Sequence, residues 1–288
     1  FASPDKLLEN TPVDVVVVSS PIAFHSGQTI RALEHGCHVL CEKPLCASLE
    51  EARRMIEARD RNGLAVEIGF QWAFSSSFRN LKADLIAGRF GKPRRFRTVV
   101  RWPRNHAYYS RNNWAGKVRD DAGRWVLDSP VNNATSHFLQ NMLNLLGSEP
   151  HAAASVSSLD AELYRVNDIE TFDTAAIRLH TEGDCEVLFL TTHACSENIG
   201  PVFELECEEG TVVLSRDNGE PEVVVRPRSS LSQSISYGSA ENDFAKVRHI
   251  RRRARGSEER VCPIETAAEL TRVVTALHES VPVQELDE

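Results

Sequence analysis

The chain has 288 residues, 41% apolar and 26% charged, with a net charge of −8; that balance suits one large or two modest folded domains, gives no sign of disorder, and argues against nucleic-acid binding as its main task. No apolar run reaches the roughly 18 to 20 residues that span a bilayer, and no charged start leads into an apolar signal region, so a cytoplasmic address without membrane partners is expected. Seven scattered cysteines, an odd number, fit reduced thiols better than a disulfide framework.

Phe1 opens the chain without Met, in a phrase that reads like the middle of a loop. Residues 14–20 are then an uninterrupted β-branched run, the pattern of a strand buried on both faces. A helix is predicted over 26–35, with Ile30 and Leu33 on one face and Gly36 as its stop. The second strand is 38–41. Ser48 and Glu51 then form a capping box, the serine bonding the Glu51 amide and the glutamate reaching back to the serine amide. The helix they open runs to about Asn62, with Ala52, Met55, Ile56 and the stem of Arg59 inward, and Gly63 ends it before a third strand over 64–70. Right-handed crossovers place these strands side by side in a parallel sheet, one half of a doubly wound nucleotide-binding domain.

Ligands of such sheets lie beyond the carboxyl ends of the strands. Those ends are Ser19-Ser20-Pro21, Glu42-Lys43-Pro44 and Gly69-Phe70-Gln71-Trp72. A lysine held there can have its pKa lowered by desolvation, and the plainer alternative is a surface ion pair with Glu42. The run His38-Val39-Leu40-Cys41-Glu42-Lys43-Pro44, preceded by Ser19-Ser20-Pro21 and His25, resembles the signature of the Gfo/Idh/MocA family, the glucose-fructose oxidoreductase and inositol dehydrogenase group. The likeness continues through Phe203-Glu204-Leu205 and residues 209–214, and resumes in 266–280, which resembles the closing helix of those enzymes. A phosphate-gripping βαβ opening of roughly 60 to 70 residues has no counterpart, and the sequence contains no Gly-x-Gly pair. The expectation is an N-terminally truncated member whose 288 residues alone bind NAD(P) negligibly, tend to aggregate and are inactive.

After Trp72 the pattern changes. A helix is predicted over 78–87, a half-exposed strand over 95–102, and an irregular stretch over 105–123 of the kind that lies over a site. A helix over 133–146 follows, with Phe138, Leu139, Met142, Leu145 and Leu146 inward. Strands are expected over 153–158, 174–180 and 186–193, then a pair over 203–214. The fold class is therefore α/β: a partial Rossmann-like parallel sheet over 1–72, followed over 73–288 by an α+β domain with a large, mainly antiparallel sheet. The family likeness implies that this sheet binds substrate on one side and a partner subunit on the other, giving a homo-oligomer. The closing helix over 266–280 is expected to pack back on the first domain.

In the resembling enzymes a segment Asp-x-Gly-x-His supplies an Asp and a His near the lysine. Counting back from Gly147 puts His137 at the histidine and Asn133 at the aspartate, and an amide can orient an imidazole but cannot take its proton. Alignment from the upstream side gives Asp128 the aspartate role and Asn132 the histidine role; His137 is favoured, with Asp128 as a nearby carboxylate. The resemblance then implies an NAD- or NADP-dependent oxidoreductase acting on a hydroxyl or carbonyl of a sugar, cyclitol or related polyol. His137 takes the hydroxyl proton while Lys43 steadies the oxygen, or Lys43 is itself the acceptor. Ser19, Ser20, Pro21 and His25 are implied along the cofactor's ribose side, with Glu42 and Lys43 at its rim and Trp72 near the nicotinamide. Tips of Lys43 and His137 within about 10 Å would let one substrate touch both. The alternative, favoured by Asn133 and the absent glycine loop, is a non-catalytic relative that binds a sugar-like ligand or a protein partner. No metal is expected at Cys37, His38 and Cys41, which straddle one buried strand, and the arginine run over 248–255 reads as a solvated loop.

Overall fold

The computed structural model describes residues 1, 3–215, 222–228, 233–239 and 244–286. The opening residues form a helix, α1 (Pro4–Asn10), where a loop is expected from sequence. The Ser3 hydroxyl accepts the Lys6 amide and proline fills the first turn, two N-terminal signals that outweigh the shortness of the segment. β1 (Val15–Val18), α2 (Ile22–Glu34), β2 (His38–Cys41), α3 (Leu49–Asn62) and β3 (Val66–Ile68) follow. α2 starts at Ile22 rather than Ser26, directly after Pro21. In α3 the Ser48 hydroxyl accepts the Glu51 amide at 3.2 Å, but the Glu51 carboxylate takes the Ala47 amide at 3.1 Å, not that of Ser48. Gly63 ends this helix in the left-handed region, at φ 65°.

The three strands form a parallel sheet in the order β1-β2-β3. α2 and α3 pack together beside it, while Ile250, from a helix much later in the chain, joins Leu40, Ala65 and Val15 in a small cluster of its own. Among the described residues β1 has one strand neighbour, and Val17 is 47% exposed.

A 3-10 turn (Gln71–Phe74) leads into α4 (Ser76–Ile86), β4 (Pro93–Arg101), the one-turn α5 (His106–Tyr109) and α6 (Ser136–Leu145). The expected helix over 133–146 thus begins at Ser136. The preceding residues turn instead, with the Asn133 amide on Ser129 O and the Thr135 amide and hydroxyl both on Pro130 O. Then come β5 (Val156–Arg165), β6 (Thr174–Thr181), β7 (Glu186–Thr192), β8 (Ile199–Cys207), β9 (Gly210–Ser215), β10 (Glu222–Pro227), β11 (Ile235–Ser239), α7 (Ala245–Ala254), α8 (Ile264–Ser280) and β12 (Val283–Glu285). The sheet order is β11-β10-β9-β8-β4-β7-β6-β5-β12, antiparallel except for β4 with β7 and β5 with β12. The arginine run is α7, not a loop, because His249 and Ile250, 2% and 0% exposed, anchor one edge of it in the protein.

Alternation sorts the large sheet. Val187, Phe189 and Thr191 of β7 and Phe203, Leu205 and Cys207 of β8 are buried, while Arg95 with Glu186 and Arg97 with Glu204 pair across its other face. The two units share one continuous core. α8 reaches both, packing against α3 and β3 and also against α6 and β5.

Candidate active site

The ends of the three parallel strands are tied together by backbone: the Glu42 amide bonds Val18 O at 2.8 Å and the Gly69 amide bonds Cys41 O at 2.7 Å. A β-carbon on Gly69 would come within 2.8 Å of Glu42 Oε2 and 3.1 Å of its Cα, so only glycine lets β3 end this close to β2. Glu42 in turn holds Lys246 of α7, with Nζ 2.5 Å from Oε1. Lys246 was not foreseen, because its neighbours read as a loop.

With Glu42 engaged by Lys246, Lys43 reaches into the second unit. Its Nζ donates to Asn133 O at 2.9 Å and to Asn133 Oδ1 at 3.3 Å. Asn133 Nδ2 donates to Asp128 Oδ1 at 2.7 Å, and the Gly116 amide donates to Asp128 Oδ2 at 2.7 Å. Both carboxyl oxygens therefore accept, as a carboxylate does. Asn133 passes the influence of that buried charge to Lys43 through its amide dipole. Burial raises the Asp128 pKa, against the Gly116 and Asn133 hydrogen bonds. Burial lowers Lys43 from 10.5 to about 8, with Glu42 and Asp128 opposing the shift.

His137, the second residue of α6, packs edge-on against Phe70 at 5.8 Å. Its ring has no hydrogen bond among the described residues. Burial, then the charges of Lys43 and Lys246, push its pKa down to about 3. Lys43 and His137 thus share one electrostatic environment, but at neutral pH the imidazole is neutral and a poor proton acceptor.

His193 directly follows β7, and its sequence context predicts only a strand. It is 3% exposed, its Nδ1 lies 2.7 Å from Trp102 O, and burial lowers its pKa to about 4. With Tyr108, Tyr109, Asp128 and Asn133 it lines a small space of about 10 Å³, the size of one water. The Tyr109 hydroxyl is buried there without a partner among the described residues. The stretch over 105–123 does lie against the site, and contains the short α5.

Among the rim residues, Ser19 and Pro21 are exposed, while the Ser20 hydroxyl donates to Gln28 Oε1 at 2.7 Å. His25 is 1% exposed and wedged between Pro44 O at 2.7 Å and Ser20 O at 2.8 Å. A neutral imidazole donates to only one of these. Its place is inside the wall, where it ties the start of α2 to the turn after Lys43, not along an open ribose site. Trp72 also differs from expectation. It is 5% exposed and its indole meets Phe78 at 5.0 Å, Phe138 at 5.5 Å and Phe203 at 6.2 Å. Burying a ring of this size gains more than leaving it at the rim, and the ring joins the two units. Asn132 is likewise internal, 1% exposed, its amide donating to Val126 O and Leu127 O.

Comparison with known proteins agrees with this architecture. Residues 1–70 match the model of the oxidoreductase family with NAD-binding Rossmann fold (Gfo/Idh/MocA), and residues 78–213 match the Gfo/Idh/MocA C-terminal domain. The 1,5-anhydro-D-fructose reductase of Ensifer adhaerens is 32% identical over 143 residues, 48% of this chain and 41% of that protein. Inositol 2-dehydrogenase 1 of Mycolicibacterium vanbaalenii is 27% identical over 226 residues, 76% of this chain and 59% of that protein. The chain thus covers less than two thirds of the length of these relatives. Among solved structures, the WlbA dehydrogenase of Bordetella pertussis in complex with NADH and UDP-GlcNAcA superposes with a TM-score of 0.77 at 22% identity, over 97% of this chain and 80% of that one.

Proposed function

This chain belongs to the Gfo/Idh/MocA oxidoreductase family, and from that premise we propose that it serves an NAD(P)-dependent oxidation or reduction at a hydroxyl or carbonyl carbon of a sugar or cyclitol. The observation that carries the reading is the half-buried Lys43, held by Asn133 with the Asp128 carboxylate behind it. Its pKa of about 8 is matched to moving a proton near neutral pH. His137, at about 3, is not. Lys43 is therefore the proton carrier, and neutral His137 a hydrogen-bonding neighbour of the substrate oxygen. The relatives' names, a reductase of 1,5-anhydro-D-fructose and an inositol dehydrogenase, support the substrate class.

The rim suits the nicotinamide-ribose end of the cofactor: Ser19 offers an exposed hydroxyl at the carboxyl end of β1, beside an open groove of about 1140 Å³. The sequence holds no Gly-x-Gly turn, so no residue described above is assigned to the pyrophosphate. When bound, the nicotinamide supplies or accepts the hydride. In oxidation neutral Lys43 Nζ takes the hydroxyl proton as the carbon gives up hydride; in reduction the protonated Nζ holds the carbonyl oxygen and returns the proton. Subunit pairing through the outer face of the large sheet belongs to the same reading.

The second reading is a sugar-binding relative without catalysis, favoured by Asn133, which cannot accept a proton. The test is turnover of a panel of cyclitols and sugars by the protein that carries this chain, with NAD and NADP, following reduced nicotinamide. Cofactor-dependent turnover that Lys43→Met lowers at least about a hundredfold is expected. Ligand binding without turnover supports the second reading, and a Lys43→Met variant that keeps its rate removes the first.

A further inference from the structure

The arginine run of α7 plays no part in the chemistry assigned to Lys43. Arg248, Arg251, Arg252 and Arg255 recur at intervals of three and four, which makes one stripe along the helix. Arg79 of α4 joins them around a groove of about 300 Å³, whose wall is completed by Phe74, His249 and Val261. Arg251, Arg252 and Arg255 are exposed and carry no ion pair among the described residues. Arg79 pairs with Glu259, and Arg253 turns away toward Glu67 and Ser257 O. His249 is 2% exposed, with Nε2 3.2 Å from Glu67 Oε1 and Nδ1 without a partner among the described residues.

A solvated helix face is the plainer account, and cations in a last turn gain from the helix dipole. That explains Arg251, Arg252 and Arg253, which lie in the last turn. It does not explain Arg79, which faces the same groove from another helix. Like charges three and four residues apart destabilise a helix, and a chain with a net charge of −8 has acidic residues enough to relieve them. Arg251, Arg252 and Arg255 instead stay without an ion pair among the described residues, over a concave surface.

We propose that this groove binds the diphosphate of a small phosphorylated ligand of the nucleoside diphosphate class. The planar forks of Arg251, Arg252 and Arg255 match phosphate oxygens in pairs, and the edges of Phe74 and Val261 that line the groove, each 5% exposed, add a small apolar contact. A volume at the lower end of small-ligand sites fits one diphosphate with part of its nucleoside, and not the track of a nucleic acid.

Calorimetric titration of the protein with inorganic pyrophosphate and with ADP tests this. Both bind at physiological ionic strength, ADP more tightly, and affinity falls as salt is raised. The triple variant Arg251→Gln/Arg252→Gln/Arg255→Gln weakens pyrophosphate at least about tenfold, whereas Arg94→Gln/Arg119→Gln, two arginines placed elsewhere, leaves it within about twofold. Thermal melting shows whether the triple variant is folded; if it is not, Arg251→Gln alone carries the test, with a loss of about threefold. No binding of either ligand overturns the proposal, as does unchanged affinity in the folded triple variant. A single-stranded oligonucleotide that displaces both ligands at lower concentration overturns it in favour of nucleic acid.

Discussion

At Lys43 two opposing effects set the proton affinity. Burial disfavours the ammonium, and the carboxylates of Glu42 and Asp128 favour it; burial wins, leaving the pKa at about 8 instead of 10.5. About a tenth of the side chain is then neutral at pH 7. Oxidation needs that neutral form, so its rate should rise with pH and level off above about 8, while reduction falls over the same range. Asp128 is a positioning residue in this scheme, acting through Asn133. Asp128→Asn removes a charge that raises the lysine pKa, so the rising limb should move to lower pH. A purely structural role for Asp128 would lower the rate and leave the limb in place. The exchange variant Asn133→Asp/Asp128→Asn puts the carboxylate directly on Lys43, and the limb should move above that of the unaltered protein. pH-rate profiles of the three proteins decide it.

Elements place these residues. β1, β2 and β3 end level because backbone hydrogen bonds join Val18 to Glu42 and Cys41 to Gly69, and Gly69 allows the approach. In Gly69→Ala the new β-carbon meets backbone at Glu42 Cα, 3.1 Å away, which cannot swing aside as a side-chain tip can. A loss of about 1 to 3 kcal/mol is expected, together with displacement of Glu42 from Lys246. Urea denaturation measures the first, and an unchanged midpoint would mean that the strand ends have room to part. The helix start before His137 shows the same dependence on elements. Because the backbone turns at 129–135 before α6 begins, Asn133 sits outside the helix and presents both its carbonyl and its amide oxygen to Lys43.

In the molecule as a whole, a second cation is buried outside the cleft. Lys82 of α4 is 4% exposed, donates to Asn144 Oδ1 at 2.8 Å and Ala152 O at 2.6 Å, and has no carboxylate partner among the described residues. Burial lowers its pKa from 10.5 to about 8. Below pH 8 the folded protein carries a buried charge that the unfolded chain keeps in water; above 10.5 both forms are neutral. The unfolded state binds more protons between these values, so this residue's contribution to stability rises with pH there, by roughly 3 kcal/mol at most. Cys41 and Cys185, pushed up from 9.0 to about 12 by burial, act in the opposite direction as pH passes 9. The comparison is therefore between two proteins. The stability difference between the unaltered chain and Lys82→Met should change by that amount from pH 8 to 10.5, and a constant difference would show that burial leaves the Lys82 pKa unshifted.

Much of this protein is legible in its residues taken in order. The β-branched run before Ser19, the serine cap and Gly63 stop of α3, and the Glu42-Lys43-Pro44 turn fix local structure through neighbours in sequence. They suffice for the parallel strands, the family and Lys43. What the tertiary structure alone decided involves residues far apart in the chain. Trp72 went to the core because Phe78, Phe138 and Phe203 converge on it. Residues 248–255 became a helix because the protein interior receives His249 and Ile250. Lys246 and His193 entered the site because α7 and the end of β7 reach it. The proposed assignment of proton transfer to Lys43 rather than His137 rests on burial. Burial is set by the packing of two units against each other, and no local pattern records it.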